Sequence, residues 1–173
     1  MNLLEPSDSP PIAGVEIPRE FYWVLGSPTP LAGMKYPRTG FPWLALHHAG
    51  FADVVSLHPG GYNAQPLRIV FSQQLQDLVD GAPPNDAATE TALIKGAVET
   101  TLASLLARRG VVIHCMGGRG RTGTVLGCVL RELGFGGQEV VSYLNDVHKA
   151  RGKPGWPESQ WQGSLVHGWK PAV

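Results

Sequence analysis

Apolar positions along the chain come in short blocks, and the blocks change period. Phe21 to Leu25 (FYWVL) is brief, aromatic and bounded by turn residues, which predicts a strand. Pro42, tolerated in a first helical turn, precedes Trp43, Leu44, Leu46 and His47, and Gly50 ends that short helix. Asp53 to Leu57 (DVVSL) predicts a second strand, HPGGYNAQP a loop, Leu67 to Leu75 an extended segment, and Gly81 to Asn85 a further loop. From Asp86 or Thr89 onward, Leu93, Ala97, Leu102, Leu105 and Leu106 recur at helical spacing, with Gly110 as the stop. Val111 to His114 (VVIH) is a β-branched run directly after that stop, the pattern of a short strand buried on both faces. Thr122 to Leu133 predicts a second long helix stopped by Gly134, Gln138 to Ala150 a third with Val140, Val141, Leu144 and Val147 on one face, and Glu158 to Gly168 a last one. Strands alternating with helices make an α/β layer fold. The Pro-rich residues 1–18 read as an extended arm.

Composition narrows this picture without adding a second domain. The 173 residues suit one domain with its own core, and 43% hydrophobic against 16% charged residues excludes a disordered chain. Gly 22 and Pro 15 imply many shaped loops. Lys+Arg 14 balance Asp+Glu 14, so net charge gives no reason to expect a nucleic-acid or anionic-membrane partner. No stretch approaches the ~18 apolar residues of a membrane span. The opening MNLLEPSDSPP lacks the basic and apolar regions of a secretory signal, and two cysteines make no disulfide framework. A reducing, cytoplasmic setting is therefore expected.

Chemistry concentrates in Val111 to Thr124, VVIHCMGGRGRTGT. A buried strand runs into Cys115, three glycines follow (Gly117, Gly118, Gly120), and Arg121 and Thr122 open a helix. Glycines let successive backbone N–H groups turn inward as an anion-binding nest, and the helix N-terminus adds its partial positive charge. Arg121 supplies a planar fork that matches two phosphate oxygens. The field that holds a phosphate also stabilises a thiolate, lowering such cysteines from about 8.5 to ~3.5–7.5, so Cys115 is expected to be an ionised nucleophile. A thiolate beneath a bound phosphate points to phosphoryl transfer through a phosphocysteine. Gly118, Gly120 and Gly123 also spell the dinucleotide fingerprint, but only helical sequence follows, and that motif explains neither Cys115 nor Arg121.

The run His114-Cys115, five residues, Arg121, Thr122 resembles the H-C-x5-R-[S/T] signature of the cysteine-dependent protein tyrosine and dual-specificity phosphatases. The resemblance implies a central, mostly parallel sheet with helices on both faces, and a 1–20 arm before a 21–173 phosphatase domain. It implies a phosphomonoester hydrolase, of protein tyrosine or dual-specificity type, needing no cofactor or metal. His114 would tune the Cys115 thiolate through hydrogen bonds, and Thr122 would donate its hydroxyl to the sulfur. The amides of Met116, Gly117, Gly118, Arg119, Gly120 and Arg121 would form the phosphate-binding P-loop. The general acid would be Asp80, in D-G-A-P-P, or Asp77, at the end of the extended segment; the sequence leans to Asp80. Asp86 reads as a helix cap. Glu158, Gln160 and Gln162 fall where the family positions water. The expected partner is a phosphorylated substrate met by a monomer. Arg119 in the loop leaves an inositol-phosphate or phosphoinositide substrate open, and the ambiguous acid leaves open a phosphate-reading module without turnover.

Other residues read as support. Cys128 lies among Val125, Leu126, Val129 and Leu130 and suits core packing, with a redox partnership to Cys115 as the rival. His47, His48, His58, His148 and His167 lack metal-ligand spacing and read as surface or capping residues. The five tryptophans read as core or lid packing, and Lys149, Arg151 and Lys153 as a solvated helix end.

Overall fold

The computed structural model describes residues 1–172. Five strands form one sheet in the order β1-β2-β5-β3-β4: β1 (Phe21–Leu25), β2 (Leu31–Met34), β3 (Phe51–Ser56), β4 (Arg68–Ser72) and β5 (Gly110–His114). Of the four strand pairs among the described residues, β1–β2 is antiparallel and the other three are parallel. The helices are α1 (Trp43–His48), α2 (Ala87–Leu106), α3 (Gly120–Glu132), α4 (Gly137–Ala150) and α5 (Gln160–Gly168).

Strand side chains alternate between two cores. Phe21, Trp23, Phe51, Val54 and Val112 pack with α1 and with Ile12 of the arm, whereas Tyr22, Val24, Val55, Val111 and Ile113 pack with α2 to α5. Both faces are therefore covered, which is why these strands read as apolar runs. The arm is docked: Leu4 N–H donates to Val24 O at 2.9 Å, Tyr143 Oη donates to Leu4 O at 2.7 Å, and Trp23 Nε1 donates to Pro10 O at 2.9 Å.

Strand β2 has no sequence signal. Its four residues, Leu-Ala-Gly-Met, sit among prolines, and Gly33 in a strand normally weakens it. Here Gly33 is required: a Cβ would lie 2.3 Å from Tyr22 Cζ, so the Tyr22 ring crosses the sheet where Gly33 leaves room. Helix α2 starts as expected, with Asp86 capping the Thr89 N–H at 3.0 Å. It ends earlier than expected: Arg108 takes the left-handed conformation (φ 58°), and Gly110 opens β5. Gly110 faces the Gly50 carbonyl, which a Cβ would meet at 2.3 Å. Helix α5 begins at Gln160, because the Ser159 side chain accepts from the Trp161 N–H and ends the preceding turn.

Candidate active site

Strands β2, β3 and β5 end in register, with Met34 and Ser56 both paired to His114. The next residue, Cys115, leaves the sheet at the carboxyl edge, where open α/β sheets place their ligand crevices. The chain then turns through Met116 to Arg119 and enters α3, whose N-terminus points back at the turn.

The carbonyls of this turn are all tied outward. Met116 O accepts from Tyr36 N–H at 2.8 Å, Gly117 O from Arg151 Nη2 at 3.1 Å, and Gly118 O from both Tyr22 Oη at 2.6 Å and Arg151 Nη1 at 3.2 Å. Arg119 O accepts from Gly123 N–H inside α3, and Gly120 O from Thr124 Oγ1 at 2.7 Å and Trp156 Nε1 at 3.4 Å. In a trans peptide the N–H opposes the preceding C=O, so carbonyls held outward turn the N–H groups of Gly117, Gly118, Arg119 and Gly120 inward. Gly118 N–H donates to Cys115 Sγ at 3.3 Å. Among the described residues no other acceptor takes the loop amides of Met116, Gly117, Arg119, Gly120 and Arg121. Gly118 is left-handed (φ 73°), and a Cβ there would meet the Met34 carbonyl at 2.6 Å, so only glycine fits.

A cavity of about 220 Å³ opens above this turn, lined by Asp77, Cys115, Met116, Gly117, Arg119, Gly120, Arg121, Lys153 and Glu158. Arg121 is buried, donates to Leu75 O at 3.3 Å, and reaches Asp77 Oδ2 at 3.6 Å. His58 Nδ1 lies 3.4 Å from Arg121 Nη1, so His58 belongs to the site rather than to the outer surface. Asp77 lies on the cavity wall between the buried Leu75 and Leu78. Asp80 does not line the cavity: it sits beyond Leu78 in an exposed turn with φ 56°.

His114 is fully buried, and burial pushes its imidazole down to about 4, so it is neutral near pH 7. Its Nδ1 faces Cys115 O at 3.0 Å and must donate there, which leaves Nε2 to accept from Tyr62 Oη at 2.5 Å. The bond thus runs to the cysteine backbone and not to the sulfur. Thr122 departs from expectation too: its hydroxyl is buried and has no hydrogen-bond partner, because the first turn of α3 seals it inside while Sγ takes the Gly118 N–H.

Downstream, Trp156 packs against Gly123, where a Cβ would meet its Nε1 at 2.4 Å. Gln162 Oε1 accepts from the N–H groups of Glu158 and Ser159, both at 3.1 Å, and so holds Glu158 at the cavity wall; Gln160 is exposed. Burial raises the Glu158 carboxyl above its ordinary range. Arg119 is tethered, donating to Gly155 O at 2.6 Å with Glu158 at 3.8 Å. Cys128 is buried in the core, and burial pushes its thiol up. Arg151 departs from the solvated helix end expected of it, and His148 from the surface or capping role expected of it: both are buried. Nothing local marks Arg151 for this role, because an Arg after a helix usually faces water; only the fold brings it under the turn.

A family model described as "PTP-SAK: Swiss Army Knife protein, DSP-PTPase phosphatase domain" matches residues 18–173. Among solved structures, the chain resembles kinase associated phosphatase with a serine in place of its catalytic site cysteine, with 18% identity, a TM-score of 0.61, and 88% of this chain and 94% of that one covered. It resembles the core catalytic domain of the PP-IP phosphatase SIW14 from S. cerevisiae in complex with citrate, at 16% identity and TM-score 0.55 over 81% of this chain and 80% of that one. PTPMT1 in complex with PI(5)P aligns at 15% identity and TM-score 0.55 over 80% of this chain and 88% of that one. At these identities the likeness shows the fold. No curated protein matches the sequence.

Proposed function

The chain belongs to the PTP-SAK family of DSP-PTPase domains and is a cysteine-dependent phosphatase, and from that premise we propose that it hydrolyses singly phosphorylated protein side chains, phosphotyrosine first, through a phosphocysteine at Cys115. The observation that carries this reading is the ring of inward loop amides over Cys115 Sγ, with Arg121 beside it. The amides and the Arg121 fork bind the three equatorial oxygens and stabilise their charge as the P–O bond breaks. Cys115 Sγ attacks phosphorus, and the leaving oxygen takes a proton from Asp77, on the cavity wall above. Water then attacks the phosphocysteine, giving its proton back to Asp77, while Glu158 borders the space it enters. The Gly118 N–H, which already donates to Sγ, stabilises the departing thiolate.

Two features favour a single phosphate. The cavity is smaller than the ~300 Å³ lower bound of drug-sized pockets, so it takes the phosphoryl group and the first atoms behind it. Of the five charged Arg, Lys, Asp and Glu side chains that line it, Arg119 and Lys153 are balanced by Asp77 and Glu158, Arg119 is already bonded within the protein, and Arg121 is left for the one phosphoryl group. A polyphosphorylated inositol would meet little net positive field there.

The test compares an aryl phosphate, a phosphotyrosine peptide and a phosphoinositide on wild type and Cys115→Ser, with and without chelator. Hydrolysis lost in Cys115→Ser, indifferent to chelator and fastest on the peptide is the expected result. Faster turnover of the phosphoinositide would overturn the substrate assignment, and turnover surviving in Cys115→Ser would overturn the mechanism.

A further inference from the structure

Arg151 follows α4 directly and its side chain is driven inward; the residue is 4% exposed. Among the described residues no carboxylate pairs with it. A buried cation without a counter-ion is costly, so its surroundings must repay it through hydrogen bonds. They do so with four backbone carbonyls. Two belong to the arm, Pro18 O at 3.0 Å and Arg19 O at 2.9 Å, and two to the catalytic turn, Gly117 O at 3.1 Å and Gly118 O at 3.2 Å. The guanidinium lies over the Tyr22 ring, 4.6 Å from its centroid, and His148 Nδ1 faces it at 3.1 Å. Burial, and then Arg151, Arg119 and Lys153, push His148 down to about 3, so it is neutral and accepts rather than repels. Tyr22 adds its own hydroxyl to Gly118 O at 2.6 Å.

Those two turn carbonyls decide the direction of two particular amides. With Gly117 O pulled toward Arg151, the Gly118 N–H points the other way, at Cys115 Sγ. With Gly118 O pulled the same way, the Arg119 N–H faces the cavity. A single guanidinium on the far side of the turn thus fixes one donor to the sulfur and one to the anion, and its positive charge lies behind the nucleophile. Ser or Lys could not do this, because holding two carbonyls and two arm carbonyls at once needs a planar fork with several donors.

We propose that Arg151, assisted by Tyr22, is a positioning residue for catalysis: it clamps the carbonyls of Gly117 and Gly118 so that the amides behind them stay turned toward Cys115 and the phosphate. It touches neither substrate nor reacting atoms. The inference rests on the assignment of Cys115 as nucleophile, and wild type with Cys115→Ser tests that assignment separately. Arg151→Met keeps the apolar stem over Tyr22 and removes every donor. It is expected to lower kcat/KM on the order of 10²-fold, the scale for losing an oriented oxyanion donor, and to weaken competitive inhibition by inorganic phosphate on the order of tenfold. Arg151→Lys retains the charge without the fork and falls between Arg151→Met and wild type. Tyr22→Phe removes one bond to Gly118 O and loses activity in the same direction, by a smaller factor. Each variant is also melted, so that lost phosphate affinity in a cooperatively folding variant separates positioning from collapse. An Arg151→Met protein that melts cooperatively and keeps both kcat/KM and phosphate inhibition within about threefold of wild type overturns the proposal. If Arg151→Met does not fold, Arg151→Lys and Tyr22→Phe decide: both at wild-type turnover and phosphate affinity overturns it, and both reduced supports it. If wild type itself has no activity, or Cys115→Ser keeps it, the functional reading fails and not the clamp.

Discussion

The turn from Cys115 to Arg121 and the segment from Gln73 to Asp86 face each other across one cavity, yet they are built differently. In the first, every carbonyl from Met116 to Gly120 has a donor, and the donors come from β1, the segment after β2, α3, the residues after α4 and Trp156. In the second, the bonds to the rest of the molecule gather at its start: Gln73 N–H donates to Ser56 O at 3.2 Å, Leu75 N–H to Leu57 O at 3.1 Å, Arg121 Nη1 to Leu75 O at 3.3 Å and Gln76 N–H to Glu90 Oε2 at 2.8 Å, whereas further along the bonds are local, Ala82 N–H to Val79 O at 3.2 Å and Asn85 N–H to Gln76 Oε1 at 2.8 Å. Leu75, Leu78 and Pro84 are buried, and the other residues from Asp77 to Asp86 are exposed. The nucleophile and the phosphate donors must be preorganised because they act as fixed charges. The acid must reach a leaving group that enters and departs, and a lightly held segment allows that movement.

The largest predicted effect falls on the rigid side. Cys115→Ser should abolish measurable turnover of an aryl phosphate, whereas Cys128→Ser should leave it near wild type. Iodoacetamide should label Cys115, with inorganic phosphate protecting it, and spare Cys128, which is buried and whose thiol burial pushes up. Labelling of Cys128 at a comparable rate would break the contrast.

Next comes the more lightly held side. Asp77→Asn should cost ~10²–10⁴ in kcat with a leaving group that needs protonation, and Asp80→Asn little. The loss should shrink for an activated nitrophenyl leaving group, because a good leaving group departs without a proton. An Asp80→Asn loss exceeding that of Asp77→Asn would restore the opposite assignment.

A smaller, structural effect separates the two regions again. Gly118→Ala combines a left-handed φ with a Cβ 2.6 Å from the Met34 backbone, and should cost about 2 kcal/mol or more in urea unfolding. Gly81→Ala also occupies a left-handed turn (φ 75°), but its nearest neighbour would be Glu158 O at 3.9 Å, so its cost should be the smaller of the two.

The rigid side should also carry a pH signature. His114 and His148 titrate near 6.5 when unfolded but are held at about 4 and about 3 by burial. The unfolded chain therefore binds more protons below about pH 6.5, and the stability these residues contribute is complete above that value and lost as pH falls toward 4 and then 3. Urea midpoints measured between about pH 7 and 5 should decline, and His148→Gln should flatten the decline. An unchanged slope would show that His148 is not held neutral in the folded protein.

The same contrast explains what the sequence could reveal. The turn was legible because its chemistry needs particular residues at particular spacings: Cys115, three glycines, Arg121 and a helix start leave few alternatives. The strands and helices were legible from apolar periodicity, apart from β2, whose Gly33 exists to receive the Tyr22 ring from the neighbouring strand, and the mostly parallel order of the sheet came with the family resemblance. Asp77 against Asp80 was not legible. Both are acids in a Gly/Pro-rich segment, and which one meets the cavity depends on Leu75 and Leu78 being anchored by residues far along the chain. Arg151 was invisible for a similar reason: nothing local distinguishes it from Lys149 or Lys153, and its partners lie 33, 34, 132 and 133 residues away.

The central claim, that the ring of amides and Arg121 serves a covalent step on sulfur, is tested most directly by trapping the intermediate. Asp77→Asn enzyme is mixed with an activated aryl phosphate labelled on phosphorus, quenched in the first turnover and digested. The account predicts label bound as a thiophosphate ester on the peptide containing Cys115, chased off with time and missing from Cys115→Ser. Label on another residue, or single-step hydrolysis that persists in Cys115→Ser with no bound phosphorus, would contradict it.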